Sequence, residues 1–323
     1  MAKTLFGGQA VIEGVMMKGP KYWSLAVRTS DGNITDTGER FKSISERWSI
    51  FKKPLFRGIV VLIETFILGI KTISLSANLA LGETEEEITP KQMVGTLMLA
   101  FAFVVGLFMI LPFYLTKAAS TLIDNRFLFA FIEGLFRITI FILYILVISR
   151  VSDIRRVFEY HGAEHMIIHT YEAGEGLTPQ NAARYSTLHV RCGTSFMLIV
   201  MVVAIFSFSF LPTTDVLTRV AGKLTLIPLV AGISYEVTRV AARYSNSRFM
   251  KAVMAPGLML QKLTTKKPDE SQLEVAIHAL NKVLEAEGIK AAVQEEEEKV
   301  GESVNRFTDS PVHSCLLVFA LQL

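Results

Sequence analysis

Four apolar stretches between Met93 and Val237 constrain this chain more than any other feature, because each approaches the ~20 residues a helix needs to cross a bilayer. Met93–Leu115 carries no charge and has Pro112 near its end. Phe127–Ser149 carries Glu133 and Arg137, and Phe196–Leu211 is short unless Thr194 and Ser195 join it. Leu217–Val237 has Lys223 and Glu236 towards its ends. In hydrocarbon, a helix satisfies its backbone hydrogen bonds within one segment, so these runs predict a mainly α, polytopic helical membrane bundle. Composition agrees: 51% of the 323 residues are hydrophobic and the mean hydropathy is +0.41, above soluble averages. A net charge of +3 gives no nucleic-acid footprint, and two distant cysteines make no disulfide framework.

A fifth stretch, Pro54–Leu81, is interrupted by Arg57, Glu64, Lys71 and Asn78. They recur every seven residues and so lie on one slowly drifting stripe of a helix. A wide apolar face with a narrow charged stripe fits an interfacial or re-entrant helix better than a lipid-facing span. As a span, it would have to turn that stripe to the bundle interior. The run Glu83–Glu87 reads as a solvated acidic linker. Glu133 and Arg137, at i,i+4, either neutralise each other against neighbouring helices or line a polar cavity below the polar loop that follows.

Basic residues set the expected topology. Arg150, Arg155, Arg156, Arg184 and Arg191 lie in the loop 150–195, and Arg239, Arg243, Arg248 and Lys251 follow the fourth span. The other two inter-span loops hold little beyond Lys117 and Arg126. The positive-inside rule therefore puts both termini and the loop 150–195 in the cytoplasm of a multi-pass inner-membrane protein. Met1–Gly19 lacks the pattern of a signal peptide, so the first topogenic element is expected to be an internal helix.

The soluble parts are read as follows. Residues 1–53 form a small β-rich cap, with a Gly-rich segment Gly7–Pro20 around Glu13. A hairpin of Trp23–Arg28 and Ile34–Thr37 turns at Asp31-Gly32. Residues 54–92 are the amphipathic helix and its linker, and 93–264 the membrane core. In 265–300, Asp269 and Gln272 form a capping-box start for an amphipathic helix Ser271–Gly288, with Leu273, Ile277, Leu280 and Leu284 on its apolar face. That helix is expected to dock on the cytoplasmic side or on another subunit of a homo-oligomer. Residues 301–323 are an atypical tail without an assigned role.

The chemistry concentrates in Glu159–Phe196, which holds His161, His165, His169, His189 and Cys192. If the run from Ile154 is helical until Gly174, then at about 100° per residue His161, His165, His169 and Glu172 fall within roughly 80° of one face. An i,i+4 histidine pair spans ~6 Å of axis and can grip one ion, with Glu164 beside it as a base; this is the H-x-x-E-H arrangement. His161 and His169 are ~12 Å apart along the axis, so either one pair binds and the third histidine supports it, or two ions bind. Thr178-Pro179 opens a short helix that turns the chain back, so that His189 or Cys192 can complete the ligands. Arg184 and Arg191 are candidates to bind an anionic substrate or headgroup, unless they serve only as membrane anchors. Isolated His278 reads as a surface histidine.

Read together, GGQAVIEGVMMKGP, YHGAEHMIIHTYEAG, YSTLHVRCGTSF, LTTKKPDESQLEVAIHAL and the stretch around Arg57-Gly58 closely resemble the YqhQ-like family of bacterial membrane proteins of unknown function. The resemblance covers roughly Gly7 to Leu280 and implies a polytopic protein and a metal-dependent enzyme, without a substrate. The expectation is thus a membrane metalloenzyme whose His161/His165 pair holds Zn²⁺ or another divalent ion. Glu164 or Glu172 (with Glu13 as a further candidate carboxylate) would activate water for hydrolysis of a peptide or lipid-linked bond. The alternatives are a metal-binding, sensing or transport protein without turnover, and a membrane assembly factor.

Overall fold

The computed structural model describes residues 5–46, 48–81, 89–119, 125–211, 215–244 and 247–289. The acidic linker and the tail 301–323 lie outside them.

The N-terminal region is an antiparallel meander of β1 (Gly7–Val11), β2 (Gly14–Lys18), β3 (Tyr22–Arg28) and β4 (Ile34–Arg40). The expected hairpin is β3–β4. Its turn has Gly32 at φ +87°, and Asp31 accepts hydrogen bonds from Thr29 and Asn33. The Gly-rich segment supplies β1 and β2, joined by a two-residue turn in which Glu13 takes the left-handed conformation. Side chains alternate across a sheet, and here both faces are covered. Val15, Met17 and Ala26 point into a core shared with the later helices α5 (Ser152–Ala173) and α10 (Glu270–Glu287). Val11, Met16, Trp23, Leu25 and Val27 point the other way, onto α1 (Phe56–Leu81).

The last helix among the described residues, α10, begins with the expected capping box at Asp269 and Gln272 and ends at left-handed Gly288. It docks within its own chain, on β2, β3 and α5, and Ser24 Oγ donates to the Ala279 carbonyl at 2.6 Å. His278 lies at the surface, 2.8 Å from Asp36.

Most of the remaining helical residues lie in α2 (Pro90–Val105), a π turn at Gly106–Ile110, α3 (Leu111–Ala118), α4 (Arg126–Ile148), α7 (Gly193–Phe208), α8 (Val216–Arg243) and α9 (Arg248–Thr264). Among the described residues, four helical stretches are long and apolar enough to cross a membrane: Phe56–Ala80, Lys91–Ala118, Arg126–Ile148 and Val216–Ala241. The expected set and this one differ at two helices. Pro54–Leu81, set apart as interfacial or re-entrant, qualifies, whereas the run counted as Phe196–Leu211 forms a helix of only 16 residues. The stripe on α1 is nevertheless matched by protein. Arg57 pairs with Glu236 of α8, Glu64 accepts from Ser43 Oγ (2.9 Å) and the Ile44 amide (2.5 Å), and Lys71 reaches Glu39 (2.5 Å).

Glu133 and Arg137 do pair, at 3.0 Å, but mutual neutralisation is only part of the arrangement. Glu133 also accepts from Arg219 (2.8 and 2.9 Å) and Lys223, so three cations surround one buried carboxylate. Pro112 has no N–H to give Phe108 O, and Arg137 Nε donates to that carbonyl at 2.8 Å. Phe129 and Phe208 lie about 5 Å from the guanidinium carbons of Arg219 and Arg137 respectively.

Two outcomes follow. Glu133→Gln strips the buried cations of their counter-charge and should cost about 3–5 kcal/mol, read from unfolding in detergent; an unaltered midpoint would mean that the cations are compensated elsewhere. Burial opposes the charge on Asp269, but hydrogen bonds from Ser271 and the Gln272 amide outweigh it and hold the carboxyl below its usual range. A lowered folded-state pKa gives stability that is present above about pH 4 and lost as pH falls through the folded value. Asp269→Ala should therefore cost ~1 kcal/mol at pH 7. The gap from wild type should narrow in melts below about pH 4, and a gap that persists undiminished there would eliminate a charged cap.

Candidate metal centre

Helix α5 runs to the expected stop, where Gly174 sits at φ +81°. Tyr160, Ala163 and Ile167 on one side are buried in the core with the sheet and α10. On the other side the histidines meet the return segment that follows the short helix α6 (Pro179–Ala182), capped by Thr178.

Backbone carbonyls fix the rings. His161 Nδ1 is 2.8 Å from Thr264 O, His165 Nδ1 2.5 Å from Thr187 O, and His169 Nε2 3.0 Å from Leu188 O. A carbonyl only accepts, so each of these nitrogens carries a proton, and in the neutral ring the opposite one is the lone-pair nitrogen. For His161 and His165, on consecutive turns, that leaves Nε2 available on both. Cys192 Sγ lies 3.2 Å from His161 Nε2. Cys192 is also the N-cap of α7, where the Thr194 amide donates to its sulfur at 3.4 Å.

Among the described residues the ligand-type atoms fall into two groups, each within 4.8 Å: His161, His165 and Cys192, and His169, Glu172 and His189. His189 and Cys192 were expected as alternative completions of one site, but the return segment divides them between the two groups. The groups adjoin, with the His165 and His189 rings 5.6 Å apart.

The second group is already engaged. Glu172 is paired with Arg191, and His189 Nδ1 accepts the Arg191 amide at 3.3 Å. Burial would raise the Glu172 carboxyl, but the bond and charge of Arg191 hold it below its usual range. Burial, then the proximity of His169, Arg191 and His165, pushes His189 down to about 4.

Glu164 is buried beside the first group, 3.8 Å from His165 Nε2. Burial pushes its carboxyl above the usual range, against the opposing effects of His161 and a hydrogen bond from the Gly8 amide. A Cβ on Gly8 would stand 2.7 Å from both Glu164 Cγ and Met16 O, so β1 reaches this carboxylate only with glycine there. Together these residues line a cleft of about 380 Å³, which also takes in Gln9, Thr65, Arg191 and Thr194.

Other expected site residues lie apart. Glu13 is held by Arg156 Nε at 2.6 Å at the β1–β2 turn, away from the cleft lining. Arg184 is exposed and does not line the cleft, whereas Arg191 does. Sequence reasoning missed Gln261, which is fully buried. It accepts the His189 amide and donates to the His189 carbonyl, both at 2.8 Å, and reaches Ser195 Oγ at 2.7 Å. The segment carrying Thr264 O also went unread, although Gly162 signals it: a Cβ there would come 2.0 Å from Lys266 O, where that segment crosses α5.

The family described as a protein of unknown function, DUF1385, matches residues 53–286. The chain is also 35% identical over 298 residues to the uncharacterized protein YqhQ of Bacillus subtilis (strain 168), covering 88% of this chain and 93% of that protein. The chain belongs to the DUF1385 family. As to family, the resemblance carried by its motifs is thereby borne out. No solved structure matches. The DUF1385 match contains both groups of ligand-type residues and Gln261, while Gly8 and Glu13 precede it.

Gly8→Ala should cost about 1–3 kcal/mol through overpacking. Gly7→Ala, with nothing within 4 Å of its added Cβ, should stay within ~0.5 kcal/mol of wild type. Equal melting points for the two variants would show that β1 yields easily at Gly8.

Proposed function

We propose that this chain is an integral membrane metalloenzyme of the hydrolase class, holding one divalent ion, most simply Zn²⁺, between His161, His165 and Cys192. The observation that carries this reading is the pair of imidazoles locked by Thr264 and Thr187, with both Nε2 atoms available beside a thiol. Three N/S ligands plus an open position is the pattern of catalytic zinc sites. A divalent ion there supplies Lewis acidity towards a bound water or carbonyl. Glu164, a buried carboxyl on the cleft wall, is the residue to take a proton from water and return it to the leaving group; its raised pKa suits both steps. Arg191 keeps Glu172 engaged, so we assign His169, Glu172 and His189 to holding the return segment rather than to a second ion.

The packing also supports a topology. The sheet and α10 share a core with α5, and on this reading the cap, the histidines and α10 lie on one side of the membrane. If Lys91–Ala118 and Arg126–Ile148 cross as a hairpin, α1 must begin and end on that same side. Being 26 residues long, it then lies along the interface. Its exposed apolar face, Ile63, Phe66, Ile67 and Ile73, would meet lipid. Helix α7, though short, then pairs with α8 as the second hairpin. By the positive-inside rule the shared side is the cytoplasm of a bacterial inner membrane.

The Cys192–His161 distance also favours a second reading, in which Cys192 is a nucleophile with His161 as its base at the N-terminus of α7.

Elemental analysis of the full-length protein in detergent separates the readings. The metal reading expects about one zinc per chain, lost in His161→Ala and Cys192→Ala and retained in Glu164→Gln. A metal-free wild type whose Cys192 alone is alkylated by iodoacetamide would replace it with the cysteine mechanism. Stoichiometric metal without turnover of any ester, amide or phosphoester would leave a binding or transport protein.

A further inference from the structure

A second cavity, of about 420 Å³, lies inside the helical bundle, walled by Leu62, Phe108, Phe141, Met197, Met201 and Ile227 among others. Its one charged lining residue is Arg137, whose guanidinium donates to Phe108 O and Glu133. The cavity and the histidine cleft share two walls. Thr65 and Thr194 line the cleft, while Leu62 and Met197 line the cavity. Each pair is three residues apart on one helix, a rise of roughly 4.5 Å. Val104, Met197 and Ile227 on the cavity rim are more than a third exposed on the flank of the bundle, so the cavity opens sideways between apolar helices.

We infer that the substrate is a membrane amphiphile, its polar head among His161, Glu164, His165 and Cys192 and one alkyl chain in this cavity. The inference rests on the cleft being the reactive site and selects between the two substrate classes named for it. A peptide entering the cavity would need partners for its backbone N–H and C=O groups, and the walls are apolar side chains. A helix fares no better, because a cylinder ~10 Å wide fills such a volume within about one turn. An alkyl chain needs no polar partner. It arrives from the bilayer through the flank and keeps its head at the interface, where the cleft begins.

Full-length protein in detergent is irradiated with a twelve-carbon alkyl phosphate carrying a diazirine near its chain terminus, and the crosslinks are mapped by peptide mass spectrometry. They are expected at Phe108, Phe141 and Met201. Competition by unlabelled alkyl phosphates should strengthen from butyl to octyl by up to about fourfold per CH₂. Ala204→Trp, which fills the cavity, should abolish these crosslinks and leave zinc content unchanged; the wild-type chain-length series holds without that variant. Crosslinks confined to outward residues such as Phe101 and Phe206, or competition independent of chain length, would overturn the inference. The readout needs no metal, so failure of the zinc assay with intact cavity crosslinks would strike the metal reading alone.

Discussion

Everything at the candidate site depends on burying both sides of α5. Ala163 and Ile167 on one side give the sheet and α10 an apolar surface to close upon. The histidines on the other side are polar, and a buried imidazole needs a partner for its N–H. Thr187 and Leu188 supply those partners as carbonyls from a non-helical segment, and Thr264 does so from the last residue of α9, where a carbonyl has no intrahelical donor. One set of hydrogen bonds thus closes the protein over α5, turns His161 Nε2 towards Cys192 and keeps a ring nitrogen of His165 within 4.8 Å of both.

The same economy governs the apolar helices. Charges along α1 are each answered by a partner on the cap or on α8. Within the bundle, Arg137, Arg219 and Lys223 gather on Glu133, and aromatic faces and backbone carbonyls complete their surroundings. Such a cluster holds α4 and α8 in one relative position, because sliding either helix would separate buried charges.

Sequence revealed the local devices well. Gly174 ends α5, Asp269 and Gln272 open α10, Asp31-Gly32 turns β3 into β4, and the spacing of His161 and His165 gave one face. Each works within a few residues, where chain geometry alone decides. The rest needed contacts across long separations. That Cys192 joins His161 while His189 joins His169 depends on the path of the return segment and on Gln261, 72 residues beyond His189. Arg219 and Lys223 meet Glu133 from 86 and 90 residues away, beyond any periodicity. Gly8 signalled a close approach without saying to what, and its partner Glu164 lies on a different element. Helix α1 was hardest, since its composition meets the criteria for a span while its charged stripe is answered by the cap and α8.

The bond from Ser24 to Ala279 joins residues 255 positions apart. At ~5–20 residues per second, a ribosome takes roughly 10–50 s to cover that distance. Throughout that interval the β-meander has emerged, yet it lacks the helix that covers one of its faces. The bundle is synthesised in between, so the cap can complete its core only after the hydrophobic hairpins exist. Assembly of the cap therefore reports that the chain has been made through to its C-terminal helix, and a truncated or stalled product exposes an open sheet for proteolysis.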